Sequence, residues 1–356
     1  MNTQKLKDFL KDKDFAAIIV SEENRRYFTQ FPSTDGFLIV TGDKSVFFTD
    51  SRYIEAANAQ CKECDEIMLF ESLKKSIAPI IAELGIEKLA VEAERLTLAD
   101  LAQLASSLDV EFVTDSTLDD AVNSIRIVKN EDEIDLVVKA QRIAEKAFDH
   151  MLDFIKIGMT EREISLELDY FMLRNGAEAL SFETIAVSGE KTSMPHGVPG
   201  ERKIKAGDFI TMDYGAVVGG YHSDMTRTIA VGYATEEMKS VYETVLKAQK
   251  AGFEMMKPGV PCKDVDKVAR DVISDAGYGE YFGHGLGHGV GVEIHEEPRV
   301  SPAGKKILQP GYLITDEPGI YLPGKFGVRI EDMAFITPDG YRNLTNCPKE
   351  LIVIEG

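Results

Sequence analysis

Histidines are concentrated in one stretch of this sequence. Of the six in the chain, five lie between residues 196 and 295, and only His150, at the end of a helical stripe, lies elsewhere. Histidines with purely structural roles are more often scattered, whereas imidazoles gathered in one region are typical of metal binding and acid–base chemistry. The five are His196, His222, His284, His288 and His295. Their clustering predicts a functional site in this part of the chain.

Two aspartates, Asp213 and Asp224, lie on either side of a predicted hairpin turn. The consecutive glycines within residues 218–221 accept the positive φ angles that a two-residue turn requires. Pairing of residues 218 and 221 places Gly215 opposite Asp224 and brings Asp213 to the same face, one diagonal step away. Two carboxylates this close raise the pKa of one of them unless a cation lies between them. The alternative, two unrelated surface aspartates, fits poorly with the apolar residues around Asp213.

A glycine-rich segment, residues 283–291, contains two histidines four positions apart. On a helix His284 and His288 would form a zinc-type ligand pair. Five glycines in nine residues, at about 1 kcal/mol each, disfavour a helix. A loop or irregular strand that lets backbone and imidazole approach another group closely is therefore predicted, and a merely flexible loop is the alternative. The alternation of residues 290–295 predicts a strand after it.

Two glutamates complete the set of candidate groups. Glu317 follows an apolar run and precedes a Pro-Gly turn, and Glu331 lies on the same face of a predicted strand as Arg329. Taken alone, that face is also consistent with a solvated surface. Four carboxylates with one or two imidazoles and no thiolate suit a pair of Mn²⁺, Co²⁺, Fe²⁺ or Zn²⁺ ions about 3.5–4 Å apart better than one structural zinc.

The elements that must position these residues fall into two groups with different patterns. Residues 1–127 alternate short β-rich runs with amphipathic helical stretches, which is typical of an α/β domain, and carry no nucleotide-binding fingerprint. In residues 128–356 the order helix, helix, strands occurs twice, which favours a pseudo-symmetric α+β domain. The length of 356 residues also predicts about two domains. The strands expected in the first group are residues 16–20, 37–40, 45–49, 66–70 and 88–92, and the helices expected in the second are 130–157, 161–174, 236–256 and 265–276.

Charge and composition exclude several classes of protein. The formal net charge is −20 and the sequence pI about 4.8, so the basic face that phosphate backbones require is missing. No apolar core of a signal peptide follows the N-terminus, and no apolar run is long enough to span a bilayer, so the protein is expected in the cytoplasm. The four cysteines, including the pair Cys61 and Cys64, are expected to be free thiols.

Five short segments that contain the candidate residues described above resemble, in their order along the chain, the proline-specific metallopeptidases of family M24, aminopeptidase P and prolidase. The resemblance spans roughly residues 125–356, and the preceding domain fits the family's N-terminal domain by size and pattern. It implies a C-terminal catalytic domain with the "pita-bread" fold of the creatinase and aminopeptidase type, and a homodimer. The segments are Asp213-Tyr214-Gly215, His222-Ser223-Asp224-Met225-Thr226-Arg227-Thr228, the loop Gly287-His288-Gly289-Val290-Gly291 with Glu293-Ile294-His295 behind it, Glu317-Pro318-Gly319, and Val328-Arg329-Ile330-Glu331-Asp332.

The resemblance also implies a dinuclear metal centre. Asp224 and Glu331 would bridge the two ions. Asp213 would bind one ion, and His288 with Glu317 the other. Manganese is the metal first expected, with cobalt, zinc or iron as alternatives. Such a pair lowers the pKa of a bound water, so that hydroxide is available near neutral pH.

The same resemblance implies catalytic or substrate-binding roles for five side chains, one of which, Glu317, is also an expected metal ligand. Glu317 would accept the proton from the water. His295 and His196 match positions that stabilise the tetrahedral intermediate and position the substrate. His284 and Arg329 would support substrate binding.

The function first expected is hydrolysis of the Xaa-Pro bond at the N-terminus of peptides, by an Xaa-Pro aminopeptidase, with an Xaa-Pro dipeptidase (prolidase) as the alternative. A dipeptidase must recognise the free carboxylate of the proline through a cation, for which Arg202, Lys205 or a residue from a partner subunit's N-terminal domain are candidates. A methionine aminopeptidase is less expected because it does not need the N-terminal domain. A non-catalytic peptide-binding relative would have eroded ligands, whereas all five positions are intact.

Overall fold

The computed structural model describes residues 2–356, which divide into two compact units on either side of the Arg126–Ile127 bond. The first unit is a six-stranded mixed sheet in the order β4-β3-β2-β1-β5-β6. Its strands are β1 Ala16–Ile19, β2 Phe37–Val40, β3 Ser45–Thr49, β4 Glu66–Leu69, β5 Lys88–Val91 and β6 Glu111–Val113. Its helices are α1 Asn2–Leu10, α2 Glu22–Thr29, α3 Ile54–Gln60, α4 Ala78–Glu83, α5 Leu98–Ala105 and α6 Thr117–Arg126. The predicted α/β class and the five predicted strands of this unit are confirmed, with ends that differ by at most one residue.

The second unit has the predicted order of two helix pairs, each followed by strands. The long helix α7 begins at a capping box in which Asn130 and Glu133 satisfy each other's backbone N–H groups, and α8 begins with the same arrangement at Thr160 and Glu163. Both helices bury an apolar stripe in the core. The four helices are α7 Glu131–Phe154, α8 Glu161–Arg174, α9 Glu236–Met255 and α10 Cys262–Asp275.

The strands of the second unit form two larger sheets and two small ones. One larger sheet has the order β20-β12-β9-β8 and the other β14-β13-β15-β18-β19, and β11-β10-β7 and β16-β17 are the small ones. The strands up to the second helix pair are β7 Ala179–Leu180, β8 Ile185–Ser188, β9 Phe209–Tyr214, β10 Ala216–Val218, β11 Tyr221–His222 and β12 Met225–Val231. The later strands are β13 Gly287–Gly289, β14 Glu296–Val300, β15 Leu313–Asp316, β16 Gly319–Leu322, β17 Phe326–Arg329, β18 Asp332–Thr337, β19 Gly340–Asn343 and β20 Val353–Ile354.

The predicted hairpin turn between β10 and β11 is confirmed. Gly219 and Gly220 have φ of 59° and 81°, and Val218 pairs with Tyr221. The same register continues into β9 and β12, where Asp213 is paired with Thr226. The turn therefore decides that the segments carrying Asp213 and Asp224 lie side by side.

Two sequence-based expectations about strands are wrong. Residues 290–295 are a bend, because Gly289 pairs with Glu296 and the residues between them close the turn from β13 to β14. Arg329 and Glu331 do not share one strand, since β17 ends at Arg329 and the chain passes to a different sheet before β18 begins. Both side chains are buried, 3% and 1% exposed, so the solvated face considered for them is also excluded.

Two further expectations concern disulfide bonds and membrane-spanning helices. The thiols at positions 61, 64, 262 and 347 are all free, as predicted. Between residues 2 and 356, no helix combines the length and apolar character that crossing a bilayer requires.

Candidate metal centre

The five candidate metal ligands come together at one cavity of 1060 Å³ in the second unit. Asp213 lies on β9 and Asp224 directly before β12, so the two neighbouring strands supply both aspartates. His288 is the central residue of β13, Glu317 follows β15, and Glu331 lies between β17 and β18. Segments separated by more than a hundred positions in sequence therefore meet at one place.

Glycines allow these segments to approach each other more closely than any other residue would. A Cβ on Gly215 would lie 1.9 Å from the backbone oxygen of Ser223, and one on Gly289 would lie 2.1 Å from that of Glu297. A Cβ on Gly287 would lie 2.1 Å from the backbone oxygen of Thr315. The glycine-rich segment around His288 is thus packed between β14 and β15, as a close approach predicts, and is not a merely flexible loop.

His288 is held in the form that suits a metal ligand. Its Nδ1 lies 2.9 Å from the backbone oxygen of Gly289, which can only accept, so Nδ1 carries the hydrogen and Nε2 presents a lone pair. Burial is the main cause that lowers the pKa of His288 to about 3, which keeps the ring neutral. Nε2 lies 3.6 Å from Oδ2 of Asp224 and 3.4 Å from Oε1 of Glu317. A lone pair facing carboxylate oxygens is repulsive unless a cation lies between them.

The carboxylates also indicate that a cation binds at this site. Burial, with the charges of neighbouring acids, raises the pKa of Asp224 and of Glu331 well above the ordinary range, and burial raises that of Glu317 to about 8. Oδ1 of Asp213 is buried and has no hydrogen-bond partner in residues 2–356. Ligand atoms of Asp224, His288 and Glu331 all lie within 4.8 Å of one another. Buried acids that repel each other, an orphaned oxygen and a neutral imidazole together fit divalent metal ions.

Arg329 orders the acids around the centre. Its Nη2 lies 2.6 Å from Oδ2 of Asp213, which leaves the other oxygen of that carboxylate for a metal. Its Nε donates to Oγ1 of Thr226, and Thr226 in turn donates to Oε2 of Glu331 at 2.7 Å. Its Nη1 donates to the hydroxyl of Tyr321 at 2.9 Å. One buried cation therefore positions two candidate ligands from outside the metal-binding set.

The predicted histidines divide between the cavity and the rest of the unit. His196, His284 and His295 line the cavity with His288, and the rings of His288 and His295 are 4.4 Å apart. Nε2 of His284 accepts from Tyr321 at 2.8 Å, and burial lowers the pKa of His284 to about 4. His222 does not line this cavity, and neither does His150, which pairs with Glu167 on helix α8.

Neither of the two cations considered from the sequence for substrate recognition lines this cavity. Arg202 pairs with Asp208 at 2.7 Å, and both Arg202 and Lys205 line a separate, smaller cavity. The sequence-based reasoning missed Arg299, which lines the large cavity and is exposed. Within residues 2–356 its side chain has no hydrogen bond or ion pair. The signal was the alternation along β14, in which Glu297 and Arg299 are exposed while their neighbours are buried.

The fold and the site together define a class of protein. A metal-dependent hydrolase is characterised by four carboxylates and one neutral imidazole, with further histidines on the wall of a large cavity. Residues 135–338 match the model of metallopeptidase family M24, and residues 3–128 match that of the creatinase/prolidase N-terminal domain. The chain belongs to metallopeptidase family M24 and is a metal-dependent enzyme. Its use of divalent metal follows from this membership and from the candidate site.

Known proteins similar to the chain include enzymes that act next to proline. An Xaa-Pro dipeptidase of Pyrococcus horikoshii is 39% identical over 352 residues, which cover 98% of each chain. The solved Xaa-Pro dipeptidase of Bacillus anthracis has a TM-score of 0.94, 39% identity and 99% coverage of both chains. The solved X-Pro aminopeptidase of Thermotoga maritima has a TM-score of 0.91 and 35% identity, and covers 96% of this chain and 97% of its own. The C-terminal unit has the pita-bread fold, as predicted.

Proposed function

We propose that this enzyme is an Xaa-Pro dipeptidase, which hydrolyses the bond between any first residue and a C-terminal proline. The observation that carries the proposal is the unpaired guanidinium of Arg299 in the cavity that holds the candidate metal ligands. The similarity to Xaa-Pro dipeptidases over almost the whole chain supports it. Both observations favour the dipeptidase, the alternative raised by the sequence, over the aminopeptidase that was first expected.

The residues that would hold two divalent ions are Asp213, Asp224, His288, Glu317 and Glu331. When bound, such ions supply hydroxide near neutral pH and polarise the scissile carbonyl. We infer that manganese is the working metal, because an oxygen-rich ligand set with one imidazole and no thiolate suits it. A homodimer in the cytoplasm is proposed on the sequence alone.

The chain's own side chains would move the protons and hold the substrate. Glu317, a carboxylate on the wall of the cavity, is suited to take up the proton of the attacking water and to return it to the proline nitrogen. That nitrogen must be protonated on leaving because an Xaa-Pro amide has no N–H. His295 and His196, on the cavity wall, would donate to the oxygen of the tetrahedral intermediate. His284 and Arg329 would keep the wall and the candidate ligands in position through Tyr321.

Arg299 supplies what separates a dipeptidase from an aminopeptidase. The proline of a dipeptide carries a free carboxylate, which a planar guanidinium binds with two parallel hydrogen bonds. The proline of a longer peptide has an amide there, which gains much less from the same cation. Since Arg299 lines the cavity and forms no ion pair in residues 2–356, its guanidinium is available to a substrate.

The test compares hydrolysis of Ala-Pro, Ala-Pro-amide and Ala-Pro-Ala by the manganese-loaded enzyme. We expect Ala-Pro to be the best substrate. In Arg299→Gln, kcat/KM for Ala-Pro should fall about 10–100-fold, since a hydrogen bond to a charged group contributes about 1.5–3 kcal/mol. The rate on Ala-Pro-amide should not change.

Arg174→Gln, which removes an exposed arginine at the end of α8 that does not line the cavity, is the matched control and should leave all three rates unchanged. Equal rates of hydrolysis of Ala-Pro and Ala-Pro-Ala would favour an Xaa-Pro aminopeptidase over a dipeptidase. Absence of metal-dependent cleavage of every Xaa-Pro bond would overturn both.

A further inference from the structure

The side chain of His196 is carried by a loop that forms part of the wall of the large cavity. This loop, residues 189–200, follows strand β8, and we call it the His196 loop. The imidazole of His196 is exposed and has no hydrogen bond or ion pair within residues 2–356. Met194 and Val198, two positions before and after it, are 55% and 73% exposed, so burial of apolar surface does not hold them in place. The position of the imidazole therefore depends on the polar contacts of the loop.

The first half and the tip of this loop contact strand β17 and the residue that ends it. The N–H of Gly327 donates to Oγ1 of Thr192 at 2.8 Å, and Nη1 of Arg329 donates to the backbone oxygen of Pro195 at 3.3 Å. The return half of the loop, residues 197–200, is held from another direction, by the first turn of helix α8.

Glu161, the first residue of α8, has a fully buried carboxylate that accepts four hydrogen bonds. Oε1 accepts from the N–H of Ser188 at 2.9 Å and from its hydroxyl at 3.0 Å. Oε2 accepts from Nζ of Lys191 at 2.5 Å and from the N–H of Gly200 at 3.0 Å. One carboxylate therefore binds the residue before the loop, a residue in its first turn and the residue that ends it.

Lys191 connects the two halves of the loop to each other. Besides its ion pair with Glu161, its ammonium donates to the backbone oxygen of Val198, in the return half, at 2.8 Å. Hydrogen bonds from a charged donor are stronger than those between neutral groups. The charges of Lys191 and Glu161 balance each other, and the neighbouring Arg202 and Asp208 form their own ion pair at 2.7 Å. The connection is therefore complete without any further ion.

We propose that Lys191 is a positioning residue for His196, because its ammonium ties the return half of the loop to the first turn and to helix α8. Lys191 does not line the cavity, whereas Ser193, Pro195 and His196 do, so its effect on a substrate is indirect. The proposal rests on the proposed function in one respect, namely that His196 donates to the tetrahedral intermediate. A catalytic group misplaced by about 1 Å can cost about 100-fold in rate.

The first test measures the loop itself and needs no substrate. Backbone hydrogen exchange of the manganese-loaded enzyme is followed by mass spectrometry in the wild type, in Lys191→Met and in Lys203→Met. In Lys191→Met, exchange in peptides that cover residues 196–200 should be about 10-fold faster or more, because the return half has lost a charged donor. Lys203, an exposed lysine just beyond the loop that does not line the cavity, is the matched control and should leave exchange unchanged. Unchanged exchange at residues 196–200 in Lys191→Met overturns the proposal.

The second test is a double-mutant cycle between positions 191 and 196, with hydrolysis of Ala-Pro as the readout. Lys191→Met should lower kcat about 10-fold and change KM less than about twofold, since the tetrahedral intermediate is affected and substrate binding is not. In the His196→Ala background the same substitution should lower kcat less than about twofold, because no imidazole remains to be positioned. Equal losses in both backgrounds would show that Lys191 does not act through His196, and would overturn the proposal.

Two further points keep the outcome decisive. If Lys191→Met does not fold, Glu161→Gln/Lys191→Met, which removes both charges together, takes its place in both tests. If the wild-type enzyme cleaves no Xaa-Pro bond, the proposed function fails, and the exchange experiment alone decides whether Lys191 holds the His196 loop.

Discussion

At the scale of single residues, the candidate ligands are in electrostatic conflict when no metal is bound. Burial and mutual repulsion raise the pKa of Asp224, Glu317 and Glu331, while burial lowers that of His288. Residues arranged in this way destabilise the fold and bind cations strongly, because a divalent ion removes the repulsion that the fold must otherwise accommodate. Functional sites commonly carry such a cost in stability.

The stability of the metal-free enzyme should therefore depend on pH. An acid whose pKa is raised on folding stabilises the protein below its unfolded pKa, and this stabilisation is lost as the pH rises through the folded value, which is about 8 for Glu317. Histidines with lowered pKa, such as His284, act in the opposite direction, but only below about pH 6.5. Between pH 6.5 and 8 the free energy of unfolding should fall by about 1–2 kcal/mol.

This dependence can be measured by thermal unfolding in EDTA and in saturating Mn²⁺. In EDTA, the Tm should decrease between pH 6.5 and 8, and the decrease should be smaller in Glu317→Gln. In Mn²⁺ the decrease should be absent, because the bound metal holds the acids ionised at every pH in this range. A metal-free Tm that stays constant or rises between pH 6.5 and 8 would contradict it.

At the scale of elements, the site depends on how closely strands β13, β14 and β15 pack. The three-residue strand β13 carries His288 between two glycines, and the backbone of the neighbouring strands occupies the space where side chains would lie. The position of the imidazole is thus decided by the strands on either side, and not by the flexibility of a loop.

Gly289→Ala should disturb this packing. A methyl group 2.1 Å from the backbone oxygen of Glu297 must move β13 away from β14, at a cost of about 1–3 kcal/mol, and displaces His288. We expect a lower Tm and fewer than two metal ions per chain by elemental analysis. Gly283→Ala is the matched control in the same segment, because nothing lies within 4 Å of the added carbon. Full metal content in both variants would argue against a role for close packing.

At the scale of the whole molecule, the chemistry is confined to one of two compact units. All five candidate ligands and the cavity they line belong to residues 127–356, which have their own hydrophobic clusters. Two divalent ions would also offset about four units of the formal charge of −20.

Residues 127–356 expressed alone should therefore fold and bind two metal ions per chain. Circular dichroism would check the fold and elemental analysis the metal content, with Glu331→Gln in the same fragment as the control that lowers the metal content. A folded fragment that binds no metal would show that the N-terminal unit is required to form the centre.

The sequence by itself determined the local elements and the identities of the site's chemical groups. Capping boxes, apolar periodicity and the Gly219-Gly220 turn are short-range signals, so the helices, the hairpin and the neighbouring positions of Asp213 and Asp224 could be predicted. The resemblance of five segments to a metallopeptidase family supplied the rest of the ligand set.

Only the tertiary structure decided which long-range groups face one another. The pairing of Arg329 with Asp213 and the position of Arg299 on the wall of the cavity both depend on contacts between distant strands and helices. The residues themselves are equally visible in the sequence. Whether a charge is compensated, however, depends on its neighbours in space, and a local pattern contains no information about them.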